Sequence, residues 1–248
     1  MAHNSHRAAL ALQLHRLTVP TLSVVIDSTI VKSKYEVHRI YCIGRNYREH
    51  AIEMGHDPDR EPPFFFQKPA DAAIDTTVVK SIPYPSMTDD LHHEAELVVA
   101  LKGGGINLTP EDAKESIFGY ALGCDLTRRD LQSEAKYLRR PWDHSKGFDF
   151  SAPCGAIVPK EECSLDLKTL QLDMSCCVNG ETRQQSKLNC MIWNIEETIS
   201  ILSKYYRLTA GDLILTGTPA GVSPLQIGDS VRVSCGDIPE CTFQVSES

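Results

Sequence analysis

Glu94 and Glu96, two residues apart in Leu91-His92-His93-Glu94-Ala95-Glu96-Leu97-Val98-Val99-Ala100-Leu101, carry the most pointed chemistry in the chain. The apolar, β-branched tail of this stretch reads as a buried strand. Alternate side chains on a strand share a face, which sets the two carboxylates on one side, about 7 Å apart. Entering a core together, they repel each other and lose solvation, so they need a cation, a shared proton or water. Ligands that are all oxygen select magnesium, calcium or manganese over zinc. The other reading is a solvated edge strand with two surface glutamates. Asp125, delivered by the apolar run 117–124, is the third acid to place at such a metal.

Other residues offer proton transfer and anion binding. His50 and Glu53 stand three apart in a segment that reads as helix, so they share a face. A carboxylate beside an imidazole orients a general base and raises its basicity; on spacing alone a surface pair is the commoner meaning. Lys146, in the loop 141–148, stays protonated if held beside a metal and carboxylates, and can then stabilise an enolate. Arg129 and Gln132 are helical neighbours able to bind a carboxylate and a carbonyl, unless their helix face is merely solvated. Lys68 ends the run Phe64-Phe65-Phe66-Gln67 and meets either an anion or water. The turn Thr216-Gly217-Thr218-Pro219-Ala220-Gly221 follows an apolar strand and can present backbone N–H groups and hydroxyls to a carboxylate.

The elements that must position these groups are legible in outline. Strands are expected at 22–26, 37–43 and 117–124, and a helix at 47–54 that stops at Gly55. Asn46 with Glu49 has capping-box register for that helix. Residues 56–63 contain three prolines and read as a loop, either a lid or an inert connection. Thr109-Pro110-Glu111-Asp112 starts a helix running to about Ser116. Gly103-Gly104-Gly105 is a turn with neither P-loop nor dinucleotide spacing. The second half is strand-rich: 171–178, a turn at Asn179-Gly180, a return strand through Arg183, and later a helix over 195–204.

Composition narrows the class. The chain has 248 residues, 42% hydrophobic and 23% charged, and a net charge of −8, which argues against nucleic acid or an anionic membrane as main partner. No apolar run approaches the roughly 20 residues that span a bilayer. The nine cysteines include no C-x-x-C pair and fit a reducing compartment. The compartment expected is cytoplasmic, with the mitochondrial matrix as alternative. Residues 1–26 hold Arg7, Arg16 and an Ala/Leu-rich segment but no acid, which fits a weak transit peptide or a plain tail.

Seven ordered blocks carry a resemblance: Gly44-Arg45-Asn46-Tyr47 with His50; Phe66-Gln67-Lys68-Pro69; His92 to Leu97; Gly123 to Gln132; Lys146-Gly147-Phe148; Val178-Asn179-Gly180-Glu181; and Thr216-Gly217-Thr218-Pro219. From Ile40 to Phe243 the chain resembles the fumarylacetoacetate hydrolase family, and within it the short single-domain acylpyruvate and fumarylpyruvate hydrolases. The resemblance implies an α+β fold, a mixed β-sandwich roll with flanking short helices. It implies an N-terminal tail and arm over 1–38, a catalytic domain over 39–248 and a homodimer. It implies Mg2+, with Mn2+ or Ca2+ as alternatives, on Glu94, Glu96 and Asp125. His50 and Glu53 would activate water, Lys146 would stand beside the metal, and Arg45, Lys68, Arg129, Gln132 and Thr218 would face a small keto-acid substrate. The expected reaction is hydrolysis of a C–C bond in a 2,4-dioxo acid to pyruvate and a carboxylic acid. Oxaloacetate decarboxylation, or isomerase or hydratase action on a related keto acid, is the alternative on the same scaffold. The stretch Ser186-Lys187-Leu188-Asn189-Cys190 departs from the small-polar loop expected there.

Overall fold

Residues 95–101 are apolar at every position but Glu96, and all seven are buried. Such a run is stable as a strand only where both of its faces are covered, and the rest of the chain supplies the two covers. The computed structural model describes residues 19–26, 29–55 and 61–247, with residues 29–33 described by their main chain alone. The N-terminal segment with Arg7 and Arg16, and residues 56–60 of the expected lid, lie outside the described residues.

In chain order, β1 (Thr21–Ile26) and β2 (Thr29–Glu36) form an antiparallel hairpin. Strand β3 (Arg39–Gly44) leads to helix α1 (Arg48–Glu53), and β4 (Phe64–Lys68) returns antiparallel to β3. The short strands β5 (Ala73–Asp75) and β6 (Ser81–Pro83) precede β7 (Leu91–His93) and β8 (Ala95–Leu101). Helix α2 (Pro110–Ser116) runs straight into β9 (Ile117–Cys124), followed by β10 (Thr127–Arg128), α3 (Arg129–Leu138) and α4 (Asp143–Lys146). Then come β11 (Ala152–Cys154), β12 (Val158–Pro159), β13 (Asp173–Val178), β14 (Glu181–Lys187) and α5 (Ile195–Tyr205). The chain closes with β15 (Asp212–Leu215), β16 (Ser223–Pro224), β17 (Ser230–Cys235) and β18 (Ile238–Ser246).

The fold is α+β, a mixed β-roll with short flanking helices. One sheet has the order β4-β3-β15-β8-β9-β11-β5, with β12 also on β9; a second has the order β14-β13-β17-β18-β6. Leu97, Val99 and Leu101 of β8 face the larger core with Met174, Val233 and Phe243 of the second sheet and Ile199 of α5. Val98 and Ala100 face the opposite way, into a core that includes Leu22, Val24 and Tyr35 of the N-terminal hairpin. The β8–β9 register shifts between Ala100 and Leu101. There the Tyr35 hydroxyl donates to Leu101 O (2.8 Å) and accepts from Leu101 N (3.0 Å), satisfying the main-chain groups that the bulge frees.

Helix α2 starts as expected, with Thr109 and Asp112 forming a capping box behind Pro110. Helix α1 does not. Its N-cap is Tyr47, with no side-chain cap, because Asn46 is turned into the interior. The Asn46 amide donates to Trp193 O (2.9 Å) and Thr216 O (2.8 Å), and its carbonyl accepts from Trp193 N (2.8 Å). The return strand runs on past Arg183 to Lys187, and residues 141–148 contain α4. All nine cysteines are free thiols. No described helix is long and apolar enough to cross a membrane.

The Asn46 clamp is testable. Asn46→Ala strands buried donors and acceptors on two neighbouring segments and is expected to cost about 1–3 kcal/mol in urea unfolding. Asn46→Ser is expected to lose nearly as much, whereas a helix-capping role would let serine substitute with little loss.

Candidate metal centre and substrate cleft

The stretch expected as one strand is two. It breaks at Glu94: β7 pairs with β10 and β16 in a small third sheet, while β8 pairs with β9 in the large one. The neighbouring strand breaks beside it, between β9 and β10, and Asp125 N donates to Glu94 O (2.8 Å) across the gap. Glu96 lies opposite Gly123 in the adjoining ladder. Side-chain oxygens of Glu94, Glu96 and Asp125 thereby come within 4.8 Å of one another, all three buried. The strand alternation inferred from sequence is therefore only part of the geometry; the sheet-to-sheet switch assembles the triad.

Cations surround two of the three acids. Lys146 Nζ donates to Glu94 Oε2 (2.7 Å), Asp125 Oδ2 (2.7 Å) and Thr127 Oγ1 (2.6 Å). Lys68 Nζ stands 2.7 Å from Asp125 Oδ1 and donates to the carbonyls of Leu126 (3.1 Å) and Lys146. Arg129 Nη2 pairs with Glu94 Oε1, and its Nη1 donates to Gln132 Oε1 (2.6 Å). Burial alone would raise the Glu94 carboxyl, but Lys146 and Arg129 outweigh it and hold the group well below the usual carboxylate range. Burial would lower the Lys146 ammonium, yet Asp125 and Glu94 raise it, so it keeps its proton. Glu96 differs. Burial, then the charges of Asp125 and Glu94, push its carboxyl well above the ordinary value, and its one described hydrogen bond comes from Gly217 N (2.6 Å).

These residues fit a divalent cation. The donor set is entirely carboxylate oxygen, the choice of a hard ion. Asp125 Oδ1 is buried with the Lys68 ammonium at 2.7 Å as its described partner, and Glu96 has no cationic partner among the described residues.

The triad forms the floor of a cavity of about 260 Å³. His50 lines it from α1, its Nδ1 3.0 Å from Glu53 Oε2, which leaves Nε2 as the nitrogen available for proton transfer. Glu53 is itself held by Gly221 N (3.0 Å to Oε1). The glycine-rich turn thus does bind carboxylates through its backbone, but they are the protein's own: Gly217 takes Glu96 and Gly221 takes Glu53. Both glycines have positive φ (96° and 97°), a conformation costly for other residues. Arg45, Arg129, Gln132, Lys146 and Thr218 line the cavity.

One expected substrate contact, Lys68, is corrected, and a second, Thr218, is restricted. Lys68 is fully buried behind Asp125 and does not line the cavity, so it positions a carboxylate instead of touching substrate. The Thr218 hydroxyl donates to Ala95 O (2.9 Å) and accepts from Gln184 Nε2 (2.7 Å), leaving it only a lone pair to offer. Sequence reasoning missed Gln184, which also donates to Pro219 O (2.8 Å) and accepts from Ala95 N (3.0 Å). Nothing in the polar run Glu181–Lys187 marks the one residue that turns inward. It also missed Lys136, Phe64, Phe66 and Trp142 as cavity walls.

Comparison with known proteins agrees with this geometry. The profile of the fumarylacetoacetate (FAA) hydrolase C-terminal domain matches residues 39–246. The chain belongs to the fumarylacetoacetate hydrolase family. An Escherichia coli oxaloacetate tautomerase of that likeness is 40% identical over 200 residues, 81% of this chain and 89% of its own. A mitochondrial oxaloacetate decarboxylase of Dictyostelium discoideum is 37% identical over 198 residues, 80% of this chain and 88% of its own. Among solved structures, the fumarylpyruvate hydrolase of Pseudomonas aeruginosa in complex with Mn2+ and pyruvate superposes with a TM-score of 0.87 at 40% identity, covering 93% of this chain and 97% of that one. Members of the fumarylacetoacetate hydrolase family are enzymes, and the acidic triad here matches a divalent-metal site.

Glu96→Gln removes one charged ligand while keeping shape and the Gly217 contact. Its Mn2+ affinity, read by calorimetry or electron paramagnetic resonance, is expected to fall by more than about 100-fold, beyond what loss of a supporting contact costs. Unchanged affinity would place the ion elsewhere.

Proposed function

We propose that this protein is a divalent-metal-dependent hydrolase that cleaves the C3–C4 bond of a 2,4-dioxo acid, fumarylpyruvate or another acylpyruvate. The observation that carries the reading is that the His50–Glu53 pair opens onto the same cavity as the three carboxylates. A base next to a metal centre is what activation of water requires. On the donor chemistry we assign magnesium, with manganese as the alternative. An ion held by Glu94, Glu96 and Asp125 would supply Lewis-acid stabilisation of the 2-keto oxygen and of the enolate charge.

The chain's own groups account for the remaining steps. Glu53 fixes the imidazole through Nδ1, and His50 Nε2 takes a proton from water as its oxygen bonds to C4 of the substrate. The C3–C4 bond then breaks. Its electron pair stays on the pyruvate fragment as the enolate, and C4 leaves as a carboxylic acid. Lys146, kept protonated by Glu94 and Asp125, stabilises the enolate electrostatically, and protonation at C3 completes pyruvate. The Arg129 guanidinium and the Gln132 amide, whose oxygen is held by Arg129, present donors to the keto-acid end. One water is consumed per turnover.

A second reading is favoured by the relatives named as oxaloacetate tautomerase and decarboxylase. Those reactions need the same enolate stabilisation but no attacking water. The two readings part at His50. His50→Ala is expected to lower pyruvate release from fumarylpyruvate by about 10²–10⁴-fold while sparing Mn2+ binding, and a chelator is expected to abolish turnover of the wild type. Full hydrolytic activity in His50→Ala would exclude the role given to this residue. Turnover of oxaloacetate alone, undiminished in that variant, would favour the second reading.

A further inference from the structure

Arg129, Gln132 and Lys136 are spaced three and four apart on α3, which places all three on one face, and all three line the same cavity. Arg129 belongs to the metal end through its pair with Glu94. Seven residues of helix carry Lys136 about 10 Å further along. There its ammonium lies 5.3 Å from the centre of the Trp142 ring. Among the described residues no carboxylate pairs with Lys136. Lys136 keeps contact with solvent, and partial desolvation with the positive charges of Arg129, Lys146 and Arg45 lowers its pKa against the opposing pull of Glu94. Arg45, stacked on Phe64 at 4.8 Å, lines the cavity too.

The walls between the two ends are aromatic. Phe66 lies 5.1 Å from the Lys146 ammonium, and its ring stands 5.7 Å from Trp142, which reaches Lys136. The cavity therefore has a metal-facing cationic end, a flat apolar middle, and a second cationic end where Arg45 has a long pair with Glu61 (3.7 Å) and Lys136 has no carboxylate partner among the described residues. Lining it are four Lys or Arg side chains against three carboxylates, before any divalent ion is added. A ligand with one carboxylate leaves the far charge unanswered.

We propose that Lys136 is a specificity-determining residue that binds the remote carboxylate of a long-chain 2-keto dicarboxylate, assisted by Arg45, with the intervening carbons against Phe66 and Trp142. Six carbon–carbon bonds in extended zigzag span roughly 7–8 Å, a length comparable to the rise of about 10 Å between the Cα atoms of Arg129 and Lys136, whose long side chains take up the difference. A four- or five-carbon diacid spans only about half to two-thirds of that seven-carbon length. The inference rests on the keto-acid reading of the site and narrows it to fumarylpyruvate-length diacids over neutral acylpyruvates and over oxaloacetate.

Binding of ligands that the enzyme cannot cleave separates this inference from the catalytic one. For the full chain loaded with Mn2+, calorimetry compares 2-oxoheptanedioate with 2-oxoheptanoate, which differ only at the far terminus. The wild type is expected to prefer the diacid by about tenfold or more, the scale of one charged hydrogen bond. Lys136→Met is expected to erase that preference and to leave the monoacid within about twofold, and Lys136→Arg to retain most of it. The shorter pair, 2-oxopentanedioate and 2-oxopentanoate, is expected to show no dependence on Lys136. Equal affinity of the wild type for the seven-carbon pair, or equal weakening of both by Lys136→Met, would overturn the proposal. Retained preference without pyruvate release from fumarylpyruvate would sink the hydrolase reading and leave the remote-carboxylate site standing.

Discussion

Three carboxylates with oxygens within 4.8 Å of one another, in the interior of a protein, are a liability that the surrounding structure must answer. Glu94 and Asp125 are answered by Lys146, and each has a further cation of its own, Arg129 for Glu94 and Lys68 for Asp125. Among the described residues Glu96 receives a backbone N–H from Gly217 alone, and burial with the charges of Asp125 and Glu94 pushes its carboxyl up. The imbalance has a direction: compensation is complete on the walls and least at the carboxylate with the fewest partners, where a hard cation gains most. The buried Lys146 is intelligible on the same ground: it would not keep its charge in an apolar interior without the Asp125 and Glu94 carboxylates it faces.

The turn after β15 ties this centre to the proton-transfer pair. Gly217 holds Glu96 and Gly221 holds Glu53, so the five residues 217–221 fix one carboxylate of the triad and the carboxylate beside His50. Asn46 adds a second tie. It binds Thr216 O at the start of the same turn and Trp193 on the other side, just before α1 begins. Helix α1 has six residues and no side-chain cap, so on its own it has little stability. Its position comes from these long-range contacts, which is why a base on so short an element can still be placed against the acids.

The relatives divide between hydrolysis and oxaloacetate chemistry although they share this fold. That division is physically reasonable. Stabilising a pyruvate-like enolate is common to all of these reactions and, in the function proposed above, would fall to the triad with Lys146. The reactions differ in whether a water must be activated and in what occupies the far end of the cavity. Those two demands would fall on His50 with Glu53, and on α3 with its aromatic neighbours. Fold and metal centre can therefore stay constant while the reaction changes.

Much of this was legible in the sequence because it is local. The apolar run after Glu96 marks a buried strand, Thr109-Pro110 marks a helix start, and the ordered motif blocks identify the family and its candidate residues. Where the sequence alone misleads, a distant partner decides. Asn46 has the register of a helix cap, yet Trp193 and Thr216 draw its amide inward. Lys68 ends a strand like any solvated lysine but sits behind Asp125. Gln184 is one polar residue among seven in β14, and only the approach of β8 and the Pro219 turn turns it into a buried junction. The break at Glu94 is likewise invisible in the stretch 91–101, which carries no proline or glycine, because it arises from two sheets pairing with the same chain. Residue types and short spacings determined which chemistry this protein carries. Tertiary structure alone decided which of those groups meet, since charge compensation and burial depend on neighbours far away in sequence.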